Sequence, residues 1–308
     1  MKNICFSIPA SATDSFFSQV AMFRRALDAL GGIYKRAHIL LTLGGEEFLP
    51  LPSRWKKYLG KAVKTHWADP GRYRQIGYRA TTQARWTYDY DIYDVIVFCD
   101  ADTLLVRPID DLLIHFLQSP KAMGVIAHYP FPMDAGADNR EIWAGLAQRF
   151  IGKPLAFNYR YTLSQNRSRD AQTPFYVNYG FVVLSPEMVA TMRKTYLSFC
   201  SEIEPQIKNP DFSGQIALTL SLFFHEIPRC ALDMRYNFPN DPIADRLYPE
   251  ELDDVRVIHY LRTDKFDRQS IFTNEDRFNY FLSLELAGSN RVFQDHVRGL
   301  ADGKYPFN

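Results

Sequence analysis

Cysteine is scarce in this 308-residue chain. Its four positions, Cys5, Cys99, Cys200 and Cys230, lie too far apart for a C-x-x-C zinc or redox motif or a dense disulfide framework. A reducing compartment is the simplest setting, and a cytoplasmic location is the expectation. An excess of one charge is also missing: 36 Lys and Arg balance 35 Asp and Glu to a formal net charge of +1. That excludes the domain-wide positive surplus by which nucleic-acid binders neutralise phosphates, so any anionic partner must be met locally. No apolar run approaches the roughly 18 residues of a membrane span. Lys2, Ile4-Cys5-Phe6-Ser7-Ile8 and Ala10-Ser11-Ala12 faintly mimic a signal peptide, but Ser7 and Pro9 interrupt a short apolar stretch that reads better as a first buried strand. Internal repeats and low-complexity linkers are absent as well.

What is present is apolar: 46% hydrophobic and 15% aromatic residues suffice for one large core or two small ones. Residues 3–8 read as a strand. Phe16, Phe17, Val20, Phe23, Leu27 and Leu30 fall near helical spacing, with Asp14 or Ser15 available as N-cap and Gly31-Gly32 as the stop. A third apolar run, 38–43, ends at Gly44-Gly45. Strand, helix, strand is the opening of a parallel α/β sheet. Helices are expected over 53–66, 74–88, 140–150, 186–203 and 213–224, and strands over 94–99, 122–127, 176–184 and 255–259. The stretch 128–175, rich in Pro, Asn, Arg and aromatics, reads as a long excursion that shapes a pocket. Residues 274–300 read as two short helices, so the chain divides into a catalytic domain over 1–270 and a helical extension over 271–308.

The acidic triplet Asp100-Ala101-Asp102 directly follows the buried run Val95-Ile96-Val97-Phe98-Cys99. It therefore lies where a parallel strand emerges, the usual place for ligand crevices in open α/β sheets. Side chains at i and i+2 point the same way on extended backbone, so both carboxylates can face one ligand while Ala101 turns aside. Oxygen donors that leave coordination positions open suit Mn²⁺ or Mg²⁺ shared with substrate phosphates. Such a triplet arises by chance about once in a chain this long, and Asp89-Tyr90-Asp91 is a second instance without a buried strand before it. The bland alternative is that Asp102 caps the next turn and Asp110 the helix after it. A distant segment, His259-Tyr260-Leu261-Arg262-Thr263-Asp264-Lys265, adds an imidazole at a strand end and an ammonium six residues on.

Three ordered blocks, VIVFCDADTLLVRP at 95–108, YVNYGFVVLSP at 176–186 and HYLRTDK at 259–265, resemble the glycogenin-like and bacterial lipopolysaccharide galactosyltransferase family, the retaining enzymes of glycosyltransferase family 8. The resemblance spans roughly residues 3–266. It implies a GT-A fold, a Rossmann-like and mostly parallel sheet flanked by helices. It also implies that Asp100, Asp102 and His259 hold Mn²⁺, that Lys265 binds the donor diphosphate, and that Arg85, or Arg79 in its place, approaches the donor. Asn178 takes the position beside the sugar, Gln215 the one near the anomeric centre, Ala101 lies between the carboxylates, and Gly180 permits close backbone approach. UDP is the implied nucleotide, its hexose passing to a saccharide, protein or lipid-linked acceptor. Gly214, where the family commonly has aspartate, and Arg262, where it has glycine, depart from the pattern, as does the loop Pro9-Ala10-Ser11-Ala12-Thr13, which lacks the family's polar residues near the nucleoside.

Two other functions use part of the same residue set: a non-catalytic nucleotide-sugar binding module, and a metal-dependent nucleotidyltransferase or phosphohydrolase, for which the late histidine and lysine have no evident use. The basic segment ahead of the acidic strand reads as solvated helix surface, with contact between residues 54–64 and anionic lipid as the sharper alternative. His128 and Asp134 follow the 122–127 strand and could meet an acceptor, though the stronger reading of each is a loop hydrogen-bonder. Tyr159, Tyr161, Phe175 and Tyr176 could stack on a sugar or build core. Asn166-Arg167-Ser168 matches a glycosylation sequon that a reducing compartment leaves unused.

Overall fold

The computed structural model describes residues 3–131, 139–164 and 171–308. Asp134 and the Asn166-Arg167-Ser168 sequon lie outside these residues. The main sheet has seven strands: β1 (Ile4–Ser11), β2 (His38–Gly44), β3 (Val63–Trp67), β4 (Val95–Cys99), β6 (Ala122–Ile126), β9 (Val177–Leu184) and β10 (Arg229–Ala231), in the spatial order β10-β6-β9-β4-β1-β2-β3. All neighbours are parallel except β9, which runs antiparallel between β4 and β6. A three-stranded sheet joins β5 (Thr103–Leu105), β11 (Phe238–Pro239) and β12 (Val257–His259), and β7 (Tyr159–Arg160) pairs with β8 (Gln172–Thr173).

Helices cover both faces of the main sheet, which explains why β4 is apolar at every position: a strand buried on two sides cannot alternate with polar residues. Ile4, Phe6 and Ile8 of β1 and Val95 and Val97 of β4 join one core with the helix Asp14–Leu30. Cys5, Ile96 and Phe98 face the opposite core with Trp86 and the helices Pro186–Ile203 and Ser213–Phe224. The C-terminal helices Glu275–Ser283 and Gly288–Leu300 place Phe278, Phe281, Phe293 and Val297 in the first of these cores.

Several local expectations change. The helix at 53 stops at Leu59, where Gly60 takes φ +69°, and Val63–Trp67 extends the sheet, so Lys64 stands on an edge strand. The stretch 74–88 resolves into helices Pro70–Ile76 and Arg79–Ala84 separated by Gly77 at φ +61°. Thr13, not Asp14 or Ser15, occupies the first cap position, and Asp14 instead accepts from Trp55 Nε1 at 2.7 Å. Gly288 begins the last helix and does not separate it from the one before. Among the described residues no helix is long and apolar enough to cross a membrane. Lys56, Lys57, Lys61 and Lys64 are exposed.

Candidate active site

Two antiparallel pairings bring distant segments to the carboxyl end of β4. Because β9 runs against β4, with Cys99 opposite Phe181, its first residues lie beside the point where the chain leaves β4, and Asn178 and Gly180 arrive next to Asp100. Because β12 runs against β5, with His259 opposite Thr103, the imidazole is delivered beside Asp102. The backbone N–H of Tyr260 donates to the Asp102 carbonyl at 3.0 Å and locks this register. The ligand atoms of Asp100, Asp102 and His259 all fall within 4.8 Å of one another.

Within this cluster His259 Nε2 lies 3.3 Å from Asp102 Oδ1 and 3.9 Å from Asp100 Oδ2. Asp102 caps no helix: its other oxygen is paired with the Arg268 guanidinium. The two carboxyls are driven apart. Burial and the neighbouring Asp102 charge raise Asp100, whereas at Asp102 burial is outweighed by His259 and Arg268, which hold it at about 2. Two oxygens and an imidazole nitrogen are a donor set for a divalent first-row metal, and the buried His259 Nδ1 has no partner. Gly180 makes room for the ring, since a Cβ there would stand 2.3 Å from Nδ1. These residues fit Mn²⁺ or Mg²⁺.

The cluster floors a cavity of about 460 Å³ whose wall includes Phe16, Gln19, Tyr78, Ala101, Gln215 and Arg268. Gln215 sits in the first turn of the helix Ser213–Phe224, which Tyr179 pins by donating to the Gly214 carbonyl at 2.9 Å. A side chain at 214 would meet Tyr196 Oη at 2.9 Å and Tyr179 at 3.2 Å, so packing excludes the aspartate common in family 8. Asn178 Oδ1 accepts from the Gly180 N–H at 2.8 Å and from Asn237 Nδ2 at 2.9 Å. That leaves the Asn178 amide N–H groups for other partners.

Not every expected residue reaches the cavity. Lys265 is exposed and lies outside its lining, whereas Arg268, three residues on, is part of it. Arg85 is fully buried behind Asp100, with its guanidinium 4.3 Å from the Phe98 ring centre and 4.7 Å from that of Tyr179. None of its three nitrogens has a hydrogen-bond partner. Arg79 starts its helix and donates Nε to the Ile76 carbonyl at 3.2 Å. Arg262 forms an ion pair with Asp241 at 2.7 Å. Of the aromatic group, Tyr161, Phe175 and Tyr176 are core, and Tyr159 is partly exposed. The Asp89-Tyr90-Asp91 triplet is a turn in which Asp89 accepts from the Asp91 N–H at 3.1 Å.

Arg268 and Asn237 escaped the sequence reading. Arg268 follows the histidine block in a segment without periodicity. Asn237 is fully buried in the polar turn before β11, where composition gives no hint that its oxygen and His259 Nδ1 both lie within 2.6 Å of the space that a Gly180 side chain would fill.

Residues 82–223 match the family model of the Rhodobacterales glycosyltransferase domain. No curated protein sequence matches the chain. Among solved structures, the galactosyltransferase LgtC in complex with donor and acceptor sugar analogues aligns at TM-score 0.51 and 17% identity, over 85% of this chain and 87% of that one. An active-site glutamine-to-glutamate mutant of LgtC aligns at 0.55 and 15%, over 98% and 96%. The bifunctional glycosyltransferase WbbM, without ligand, aligns at 0.52 and 12%, over 98% of this chain and 51% of WbbM. The mostly parallel sheet and flanking helices match those of these GT-A glycosyltransferases. The domain match over residues 82–223 supports a glycosyltransferase, and the chain shares its fold with LgtC.

Proposed function

We propose that the chain transfers a hexose from a nucleotide-diphosphate sugar, with UDP as the nucleotide, to a carbohydrate-type acceptor, and that the product keeps the anomeric configuration of the donor. The observation that carries this reading is the convergence of Asp100, Asp102 and His259 from two sheets on the floor of one cavity. These residues would hold Mn²⁺ or Mg²⁺, which when bound supplies Lewis-acid neutralisation of the diphosphate leaving group. Arg268 adds positive charge at the same wall, a role the sequence reading assigned to Lys265. Phe16 and Tyr78, stacked with ring centres 5.5 Å apart, offer an aromatic wall toward the base.

The developing charge on the sugar is oxocarbenium-like. A glutamine amide is a poor nucleophile, so Gln215 is assigned to stabilising that charge through its carbonyl dipole. Asn178, its oxygen already engaged, orients the sugar with its N–H groups. The acceptor then attacks on the face from which the diphosphate departs, its proton passing to a phosphate oxygen.

Radiolabelled UDP-hexoses incubated with the protein and Mn²⁺, without acceptor, should be hydrolysed slowly, and a chelator or Asp102→Asn should abolish turnover. Binding without breakdown would identify a non-catalytic module instead. NMR of the transfer product decides the stereochemistry, and an inverted anomer refutes retention.

A further inference from the structure

Two buried polar atoms beside the metal-ligand cluster face the same small space, and each lacks a hydrogen-bond partner. They are His259 Nδ1 and Asn237 Oδ1, which lie 2.3 Å and 2.6 Å from the point that a Cβ on Gly180 would occupy. Asn237 is fully buried and His259 is 4% exposed, so bulk water reaches neither atom. A buried donor or acceptor left alone is costly, and two such atoms at one spot call for a common explanation. Strand pairing accounts for their meeting: β11 runs parallel to β12 with Pro239 opposite His259, which brings Asn237, the residue before β11, to the imidazole.

Which of the two donates follows from the backbone. The N–H of Gly180 can only donate, so the Asn178 atom 2.8 Å from it is the amide oxygen. That oxygen takes a second bond at 2.9 Å from Asn237, so the Asn237 atom there is the amide nitrogen. The other Asn237 atom is therefore an oxygen, an acceptor beside His259. Its complement is an imidazole that carries its proton on Nδ1. Such a ring turns the lone pair of Nε2 toward Asp102 and Asp100, 3.3 Å and 3.9 Å away, which is the form in which a histidine serves as a metal ligand. The same chain of bonds engages the Asn178 oxygen and leaves its N–H groups as the ones that meet the sugar.

We propose that Asn237 is a positioning residue shared by the two halves of the site. Its oxygen accepts a hydrogen bond from Nδ1–H of His259 and so fixes the tautomer that offers Nε2 to the cation, while its amide nitrogen fixes the orientation of Asn178. The proposal rests on the metal-dependent transferase reading above. Asn237 itself touches neither cation nor sugar, and no proton transfer is assigned to it.

Two substitutions in the full chain separate the two bonds. Asn237→Leu removes both, whereas Asn237→Asp keeps an acceptor toward His259 and turns a second oxygen on Asn178. Calorimetric titration with Mn²⁺ in the presence of UDP should show affinity reduced about 10–100-fold in Asn237→Leu and held within about threefold of wild type in Asn237→Asp. At saturating Mn²⁺ the Asn237→Asp protein should still lose about tenfold in kcat/KM for donor breakdown, because Asn178 has lost its partner. A residue that only supports packing would move both measures together. The wild type gives a reading that depends on neither variant folding: nitrogen–proton NMR of histidine labelled with heavy nitrogen, with Mg²⁺ and UDP bound at a pH above the ordinary imidazole range, should place the His259 proton on Nδ1, the signal being assigned by its loss in His259→Gln. A proton on Nε2, unchanged Mn²⁺ affinity in Asn237→Leu, or equal weakening in Asn237→Asp and Asn237→Leu overturns the proposal. Absence of Mn²⁺ binding to the wild type, with and without UDP, removes the metal-site reading itself, and the role of Asn237 with it.

Discussion

Arg85 carries a charge into the core with no hydrogen bond from any nitrogen, sandwiched between Phe98 and Tyr179. Two cation–π contacts are worth about 2 kcal/mol each at best when desolvated, less than the several kcal/mol lost on burying an ion. Folding alone therefore gives no reason for an arginine here. The Asp100 carboxylate in front of it does, because Arg85 is among the charges that oppose the upward push of burial on that group. Arg85→Met should leave stability unchanged or raise it by about 1–3 kcal/mol, while donor turnover falls about a hundredfold. Urea unfolding and the radiolabel assay read the two effects separately, and joint loss of stability and activity would make Arg85 a packing residue. Arg85 was visible in the sequence only through the family resemblance. Its burial was not, since arginines in a basic segment ordinarily face solvent.

At the level of elements, the site depends on β9 running against its neighbours. An antiparallel strand inserted beside β4 begins where β4 ends, which is why Asn178 and Gly180 meet an acidic pair some 80 residues earlier in the chain. Gly180 is the contact point. An added methyl would stand 2.3 Å from His259 Nδ1 and 2.6 Å from Asn237 Oδ1, both on buried side chains with nowhere to retreat. Gly180→Ala should therefore displace the imidazole, weaken Mn²⁺ binding by 10–100-fold as loss of ligand support does, and cost about 1–3 kcal/mol of stability. Calorimetric titration with Mn²⁺ checks the first effect, and unchanged affinity would show that His259 is not held by this packing. The strand itself was legible from its apolar run over 176–184. Its direction was not, because a strand buried on both faces reads the same whether parallel or antiparallel.

Across the whole molecule, two cores on opposite faces of one sheet bury most of the aromatic residues. Burial lowers His38, His66, His128 and His296, with His128 reaching about 3. The sign follows directly. Above pH 6.5 His128 is neutral folded and unfolded and contributes nothing to pH dependence. As pH falls from 6.5 toward 3, the unfolded chain takes up a proton that the folded one refuses, so stability is lost, by about 2 kcal/mol at pH 5. His128→Phe should therefore lose about 2 kcal/mol less than the wild type between pH 7.5 and pH 5 in urea unfolding. Equal losses would mean that the imidazole is hydrated and protonated in the native state.

Local chemistry written in order along the chain determined the α/β class, the acidic pair at a strand end, the late histidine and most helices, because burial period, glycine stops and a strand followed by carboxylates are properties of short segments. Only the tertiary structure decided which cations stand at the site. Lys265 and Arg268 are equally plausible three residues apart in an aperiodic loop, and the fold places Arg268, not Lys265, in the cavity wall against Asp102. It likewise decided that His128 and Gln215, nearly 90 residues apart, line one chamber, since the distance between them is set by strand order and by no spacing in the sequence.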